Sequence, residues 1–165
     1  MKIKPEVFLS SQKNLVFNKI LITGSDESFI SYVKEQIIKD FKKRGFFIDF
    51  SNNFNGNSMG NLFSENKSLF VLSEFPKTKE NNLLELNGQS ILVASPNGKK
   101  TNAIKPKFAK DKESLVIECY LLNRISKENV LRGYVETNNL TLSNEVFWYV
   151  IENFDNNYVV FVKQA

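Results

Sequence analysis

The chain has 165 residues, 42% of them hydrophobic and 24% charged, with a formal net charge of +4 and no histidine. That length holds one domain of ordinary size, or one domain plus a small appendage, and the composition is globular rather than disordered. The absence of His excludes Ser-His-Asp chemistry and His-ligated metal, and a lone cysteine, Cys119, excludes an internal disulfide.

Met1, Lys2, Ile3, Lys4 and Pro5 carry charge with no apolar stretch behind them, so no secretory leader is expected. No apolar run approaches the roughly 18 residues of a membrane span. The expectation is a soluble cytoplasmic protein in a reducing compartment, with no membrane partner.

The first strand-like run is KILITG, residues 19–24. It leads into a helix whose apolar residues Phe29, Ile30, Val33, Ile37, Ile38 and Phe41 recur on one face. Asp26 and Glu27 stand at the start of that helix, Lys42, Lys43 and Arg44 at its end, and Gly45 just beyond. This charge order suits the helix dipole, and the glycine supplies a stop. FFIDF (46–50) follows, then an Asn- and Gly-rich loop. SLFVLSEF (68–75) is the next strand, ended by Pro76, and residues 77–86 read as a polar helix carrying Leu83, Leu84 and Leu86.

SILVASP (90–96) and SLVIECYLL (114–122) complete five strands. Each is a near-continuous apolar run, which suits strands covered on both faces. The expected fold class is therefore α/β, a five-stranded, mostly parallel sheet with helices on both faces. Cys119 lies inside the last strand and reads as a packed residue, not a nucleophile.

Between the last two strands, residues 97–112 hold six Lys and one Asp. Such a run is either a solvated loop and helix face or a contact for nucleic acid or an acidic partner, with Lys99, Lys100, Lys105 and Lys107 as candidates. It lacks Arg, and Phe108 is its one aromatic residue.

From residue 123 the pattern turns helical, over 126–139, 142–154 and 155–165. Ser126 and Ser143 are candidate helix starts, and Asp155, Asn156 and Asn157 read as a connection. Three short helices bury little apolar surface by themselves. The expected organisation is an α/β domain over 1–122 and the beginning of a helical domain over 123–165.

The strand-Gly-helix opening ILITGSDESF invites a nucleotide reading, because helix N-termini accept phosphate. A phosphate loop needs converging glycines, a Lys and a hydroxyl in the pattern G-x-x-x-x-G-K-[ST]. Here no second Gly stands near Gly24, the next Lys is Lys34 inside the helix, and Asp26 and Glu27 bring negative charge. Where such a nucleotide hydrolase carries an Asp-Glu pair after its later strand, this chain has Ser73 and Glu74. A working nucleotide pocket is not expected, nor is a metal or other cofactor.

The order of segments resembles the delta subunit of the bacterial DNA polymerase III clamp loader. The likeness runs from ILITGSDESFISYVKEQI through FFIDFSNNFNG, MGNLFSENKSLFVLSEF, SILVASPNGKK and SLVIECYLL to the helical tail, over about residues 19–165. The resemblance implies a P-loop NTPase fold of the AAA+ class without a functional phosphate loop. It implies a non-catalytic subunit of the holoenzyme that binds the sliding clamp (beta) and helps to open it, beside other clamp-loader subunits and on primer–template DNA. The family does so with a small apolar wedge before its third strand, which matches Leu62 and Phe63, with Met59 beside them. The Gln that often starts this motif is Ser58 here. Two other readings stand beside it: a degenerate P-loop nucleotide-binding protein or enzyme, and a general DNA-binding module.

Overall fold

A computed structural model describes residues 1–10, 17–50, 67–75, 83–84 and 89–165 of the chain. Six strands form one sheet: β1 (Lys2–Ile3), β2 (Lys19–Gly24), β3 (Phe47–Asp49), β4 (Ser68–Leu72), β5 (Ser90–Ala94) and β6 (Ser114–Cys119). Their order across the sheet is β1-β6-β2-β5-β4-β3, and every pairing is parallel. Six strands replace the five expected from sequence. The addition is β1, two residues that pair with Val116 and Ile117 of β6.

The helices are α1 (Pro5–Ser10), α2 (Glu27–Lys43), α3 (Lys99–Lys110), α4 (Arg124–Thr137), α5 (Asn144–Asn153) and α6 (Tyr158–Gln164). The expected helix over 77–86 lies outside the described residues except for Leu83 and Leu84, which form a turn.

The apolar runs are continuous because the two sheet faces feed two cores. Ile20 and Ile22 of β2, Leu92 of β5, and Leu115 and Ile117 of β6 point to one face. There they meet all six apolar residues expected on α2, each of them buried. Leu21, Ile91, Val93 and Val116 point to the other, against Ile104 and Phe108 of α3. Alternate side chains thus go to opposite layers, as the pleat requires. β3 departs from this pattern: it is an edge strand, and Phe47 stays 64% exposed.

Helix termini follow local chemistry. The Asp26 carboxylate accepts from Phe29 N at 3.0 Å and so caps α2. At the other end Gly45, with φ +82°, takes the left-handed turn that glycine tolerates, and its N–H donates to Lys42 O. Ser143 caps α5 as expected, accepting from Val146 N. For α4 the cap is Asn123, not Ser126; the Asn123 side chain accepts from Ser126 N at 2.9 Å. Ser126 is the third residue of that helix, so the expected start fell one capping interval late.

Helices α4 to α6 close over the α2 layer. Leu131, Val150, Ile151, Tyr158 and Phe161 join the same core as α2, and Tyr158 stacks on Phe29 with ring centroids 4.2 Å apart. Lys127 is the polar centre of this layer, 4% exposed. Its Nζ donates to the carbonyls of Ile151 (3.1 Å) and Phe154 at the end of α5, and it lies over the Phe161 ring. A buried cation is stable here because the carbonyl end of a helix carries partial negative charge.

Lys127→Met keeps the apolar stem but leaves those carbonyls without a donor. The expected loss is about 2 kcal/mol, read as a lower urea midpoint at unchanged slope. An unchanged midpoint would show that the ammonium contributes nothing there.

Candidate functional site

In open parallel sheets, ligands bind beyond the carboxyl ends of the strands, where the chain reverses its direction across the sheet. Here that point is at β2 and β5: α2 leaves β2 toward one face and α3 leaves β5 toward the other. The residues there are Thr23, Gly24, Asp26, Asn97, Cys119 and Asn157.

Gly24 closes β2 with φ +143°, and it pairs with Cys119 so tightly that a Cβ would lie 1.8 Å from the Cys119 carbonyl oxygen. Two residues on, Asp26 N donates back to that same oxygen at 3.2 Å. The connection from strand to helix is therefore short and pinned to β6. On the β5 side, Asn97 N donates to Gly24 O at 2.9 Å, and Thr23 Oγ1 donates to the Asn97 side-chain oxygen at 3.2 Å.

The N-terminus of α2, where a phosphate would sit in a strand-loop-helix nucleotide site, is filled by the chain's own groups. Asp26 is 5% exposed, and its carboxylate also accepts from Ser28 Oγ at 2.7 Å. From α6, Asn157 Nδ2 donates to both Asp26 oxygens at 3.1 Å and to Ser28 Oγ at 2.7 Å. The Asn157 side-chain oxygen meanwhile caps α6, accepting from Val160 N. One amide therefore ties α6 to α2 with its nitrogen and starts α6 with its oxygen. A phosphate brought to this helix end would meet a carboxylate in its place.

No protein-family model matches the chain, and no curated protein sequence matches it. Among solved structures it is similar to AMPPCP-bound DnaA from Aquifex aeolicus, at 18% identity and a TM-score of 0.51. That alignment covers 96% of this chain and 57% of the DnaA chain. Domain III from the Thermotoga maritima replication initiation protein DnaA aligns at 12% identity and a TM-score of 0.38, over 92% of this chain and 75% of that one.

The fold is AAA+-like.

Within this AAA+-like fold, Ser73 and Glu74 are exposed just beyond β4, with no Asp beside the Glu. They border a cavity of about 400 Å³ at the ends of β4 and β5, shared with Ser95, Asn97, Lys99 and Lys100. Thr101 Oγ1 closes its floor by donating to Pro96 O at 3.1 Å. Among the described residues no group of three or more His, Cys, Asp or Glu side chains is placed to hold a metal ion. No described helix is long and apolar enough to cross a membrane.

Cys119 is fully buried in β6. Burial, and then the charges of Asp26 and Glu6, push its thiol up to about 12. It is a packed strand residue without thiolate character at neutral pH.

Most of the Lys-rich segment is α3, with short non-helical ends at residues 97–98 and 111–112. Thr101, Ile104 and Phe108 form its buried stripe, while Lys99, Lys100 and Lys107 are exposed. Lys105 is not part of that exposed set. Its Nζ donates to Glu118 Oε1 at 2.8 Å, and Lys2 pairs with the other oxygen of Glu118. The hydrogen bond to Glu118 holds the Lys105 ammonium above its ordinary range. For Glu118, burial pushes the carboxyl up, but the hydrogen bonds from Lys105 and Lys2 outweigh it, and the net shift is downward.

A lowered carboxyl pKa gives stability that is present above the ordinary value of 4.5 and is lost as pH falls through the folded-state value. The stability difference between wild type and Glu118→Gln should therefore be constant near neutrality and shrink below about pH 4.5. It should shrink again in alkali, above the ordinary 10.5 of Lys105. Urea midpoints across pH test this, and a difference that does not vary with pH would contradict it.

The wedge residues Met59, Leu62 and Phe63 lie outside the described residues. What sequence reasoning missed is the partnership of Asp26 with Asn157. Both positions were noticed, one as misplaced negative charge and one as a connection, yet no spacing rule links residues 131 apart.

Proposed function

We propose that the chain is a non-catalytic, delta-like clamp-loader subunit that binds a sliding clamp through Leu62 and Phe63, with Met59 beside them. The observation that carries this reading is an AAA+-like fold whose α2 N-terminus is capped by Asp26 and latched by Asn157. A fold of this class whose α2 N-terminus already holds a carboxylate is better suited to holding partners than to hydrolysis. The ordered likeness of segments to the delta family supplies the kind of partner.

In this role the chain works by binding energy. An apolar pair entering a partner's cleft loses water contact, and such anchors carry much of an interface's affinity. Hydrolysis would come from neighbouring clamp-loader subunits, and DNA would be met through the assembly. Lys99, Lys100 and Lys107 on α3 are the positions for contact with DNA or a neighbouring subunit. Lys105 is committed to Glu118 and leaves that set.

The test is a pull-down with the cognate clamp, comparing wild type with Leu62→Ala/Phe63→Ala, alongside a titration of labelled ATP. The reading expects clamp capture by wild type, its loss in the double variant, and no saturable ATP binding at millimolar levels. Saturable ATP binding without clamp capture would instead favour a degenerate nucleotide-binding protein. DNA affinity that needs no clamp and falls steeply with salt would favour a general DNA-binding module.

A further inference from the structure

A second cavity, of about 180 Å³, lies between α1, α4 and α6. Glu6, Leu9, Gly133, Tyr134, Tyr158 and Val162 line it. Glu6 is 9% exposed, and Ser126 Oγ donates to its Oε1 at 3.0 Å. Among the described residues no basic side chain pairs with Glu6, and its other oxygen accepts no hydrogen bond. Lys127, a buried cation of this layer, is spent on the end of α5. The hydroxyl of Tyr158, a residue 8% exposed, makes no hydrogen bond among the described residues either.

We propose that this cavity binds a small organic cation, an amine or amidine carried on a single flat ring, with Glu6 as its counter-charge. Burying a carboxylate that has no opposite charge among the described residues is costly, and a cationic ligand removes that cost. The tie to Ser126 does not explain the charge, since a neutral Gln would accept the same hydrogen bond. The size sets the ligand: a cavity of about 150 Å³ takes one benzene ring. Leu9 and Val162 provide apolar walls, and Glu6 and Tyr158 provide the few polar groups that orient a ligand in such a site. Gly133 keeps the space open, since a Cβ built there meets nothing within 4 Å.

The probe is benzamidine, with neutral benzamide as its isostere, titrated into the full chain and followed by backbone amide NMR. Benzamidine should saturably shift the amides of Glu6, Gly133 and Tyr158 and bind at least about tenfold more tightly than benzamide. Glu6→Gln, which keeps an acceptor for Ser126, should remove that preference. Gly133→Leu, a change to a better helix former, should fill the cavity and abolish binding of both molecules while the chain stays folded. Equal affinity for the two probes, shifts elsewhere on the surface, or binding that survives Gly133→Leu would overturn the proposal.

Discussion

Gly24→Ala is expected to prevent folding, with a loss on the order of 4 kcal/mol or more. Two independent causes act at this position. Its φ of +143° belongs to a region that L side chains rarely adopt. The added methyl would also lie 1.8, 2.6 and 2.8 Å from three backbone atoms of Cys119. Those atoms belong to β6, whose Cys119 pairs with Gly24 and whose carbonyl also receives the Asp26 N–H. A rotamer change cannot relieve the clash. The β2–β6 pairing must give way at its carboxyl end, and the start of α2 with it.

Gly133→Ala is the control. It sits mid-helix with open space around the new methyl, so it should raise stability by about 0.5–1 kcal/mol. Far-UV circular dichroism and urea midpoints on both variants decide the matter. A Gly24→Ala protein that unfolds near the wild-type midpoint would contradict the close approach of β2 to β6.

Gly24 also shows how far residue patterns reach. KILITG was legible as a strand from Lys19 to Gly24 because six consecutive residues are buried on both faces, and the glycine reads as its stop. Why it must be glycine was not legible, because the reason lies in a strand almost a hundred residues away. The six apolar residues of α2 were readable for the opposite reason: their spacing is local and repeats over 17 residues. β1 and α1 left no such trace. A two-residue strand has no period, and it is specified by its partner β6 rather than by its own sequence.

α3 was obscured by composition. Five Lys around Pro106 hide a stripe of only three buried residues, Thr101, Ile104 and Phe108. Its role as cover for the second core emerges only when Leu21, Val93 and Val116 are seen to need it. The polar ties behave likewise. Glu6 with Ser126 and Asp26 with Asn157 join residues 120 and 131 apart, and each residue read singly looks like an ordinary solvent-facing polar side chain. The absence of phosphate-loop residues was visible from the start; what stands in their place was not.

In the proposed role, the wedge should carry the largest effect on binding. Fully burying two side chains such as Leu62 and Phe63 is worth about 1.5–3 kcal/mol each. Truncating both to Ala should therefore weaken an interface they anchor by about 100-fold or more. The most direct measurement is an equilibrium titration of the cognate sliding clamp with wild-type chain and with Leu62→Ala/Phe63→Ala, after circular dichroism has shown that both are equally folded. The proposed role predicts saturable binding by wild type and a loss of about 100-fold or more in the double variant. No binding by wild type, or equal binding by the two, would contradict it.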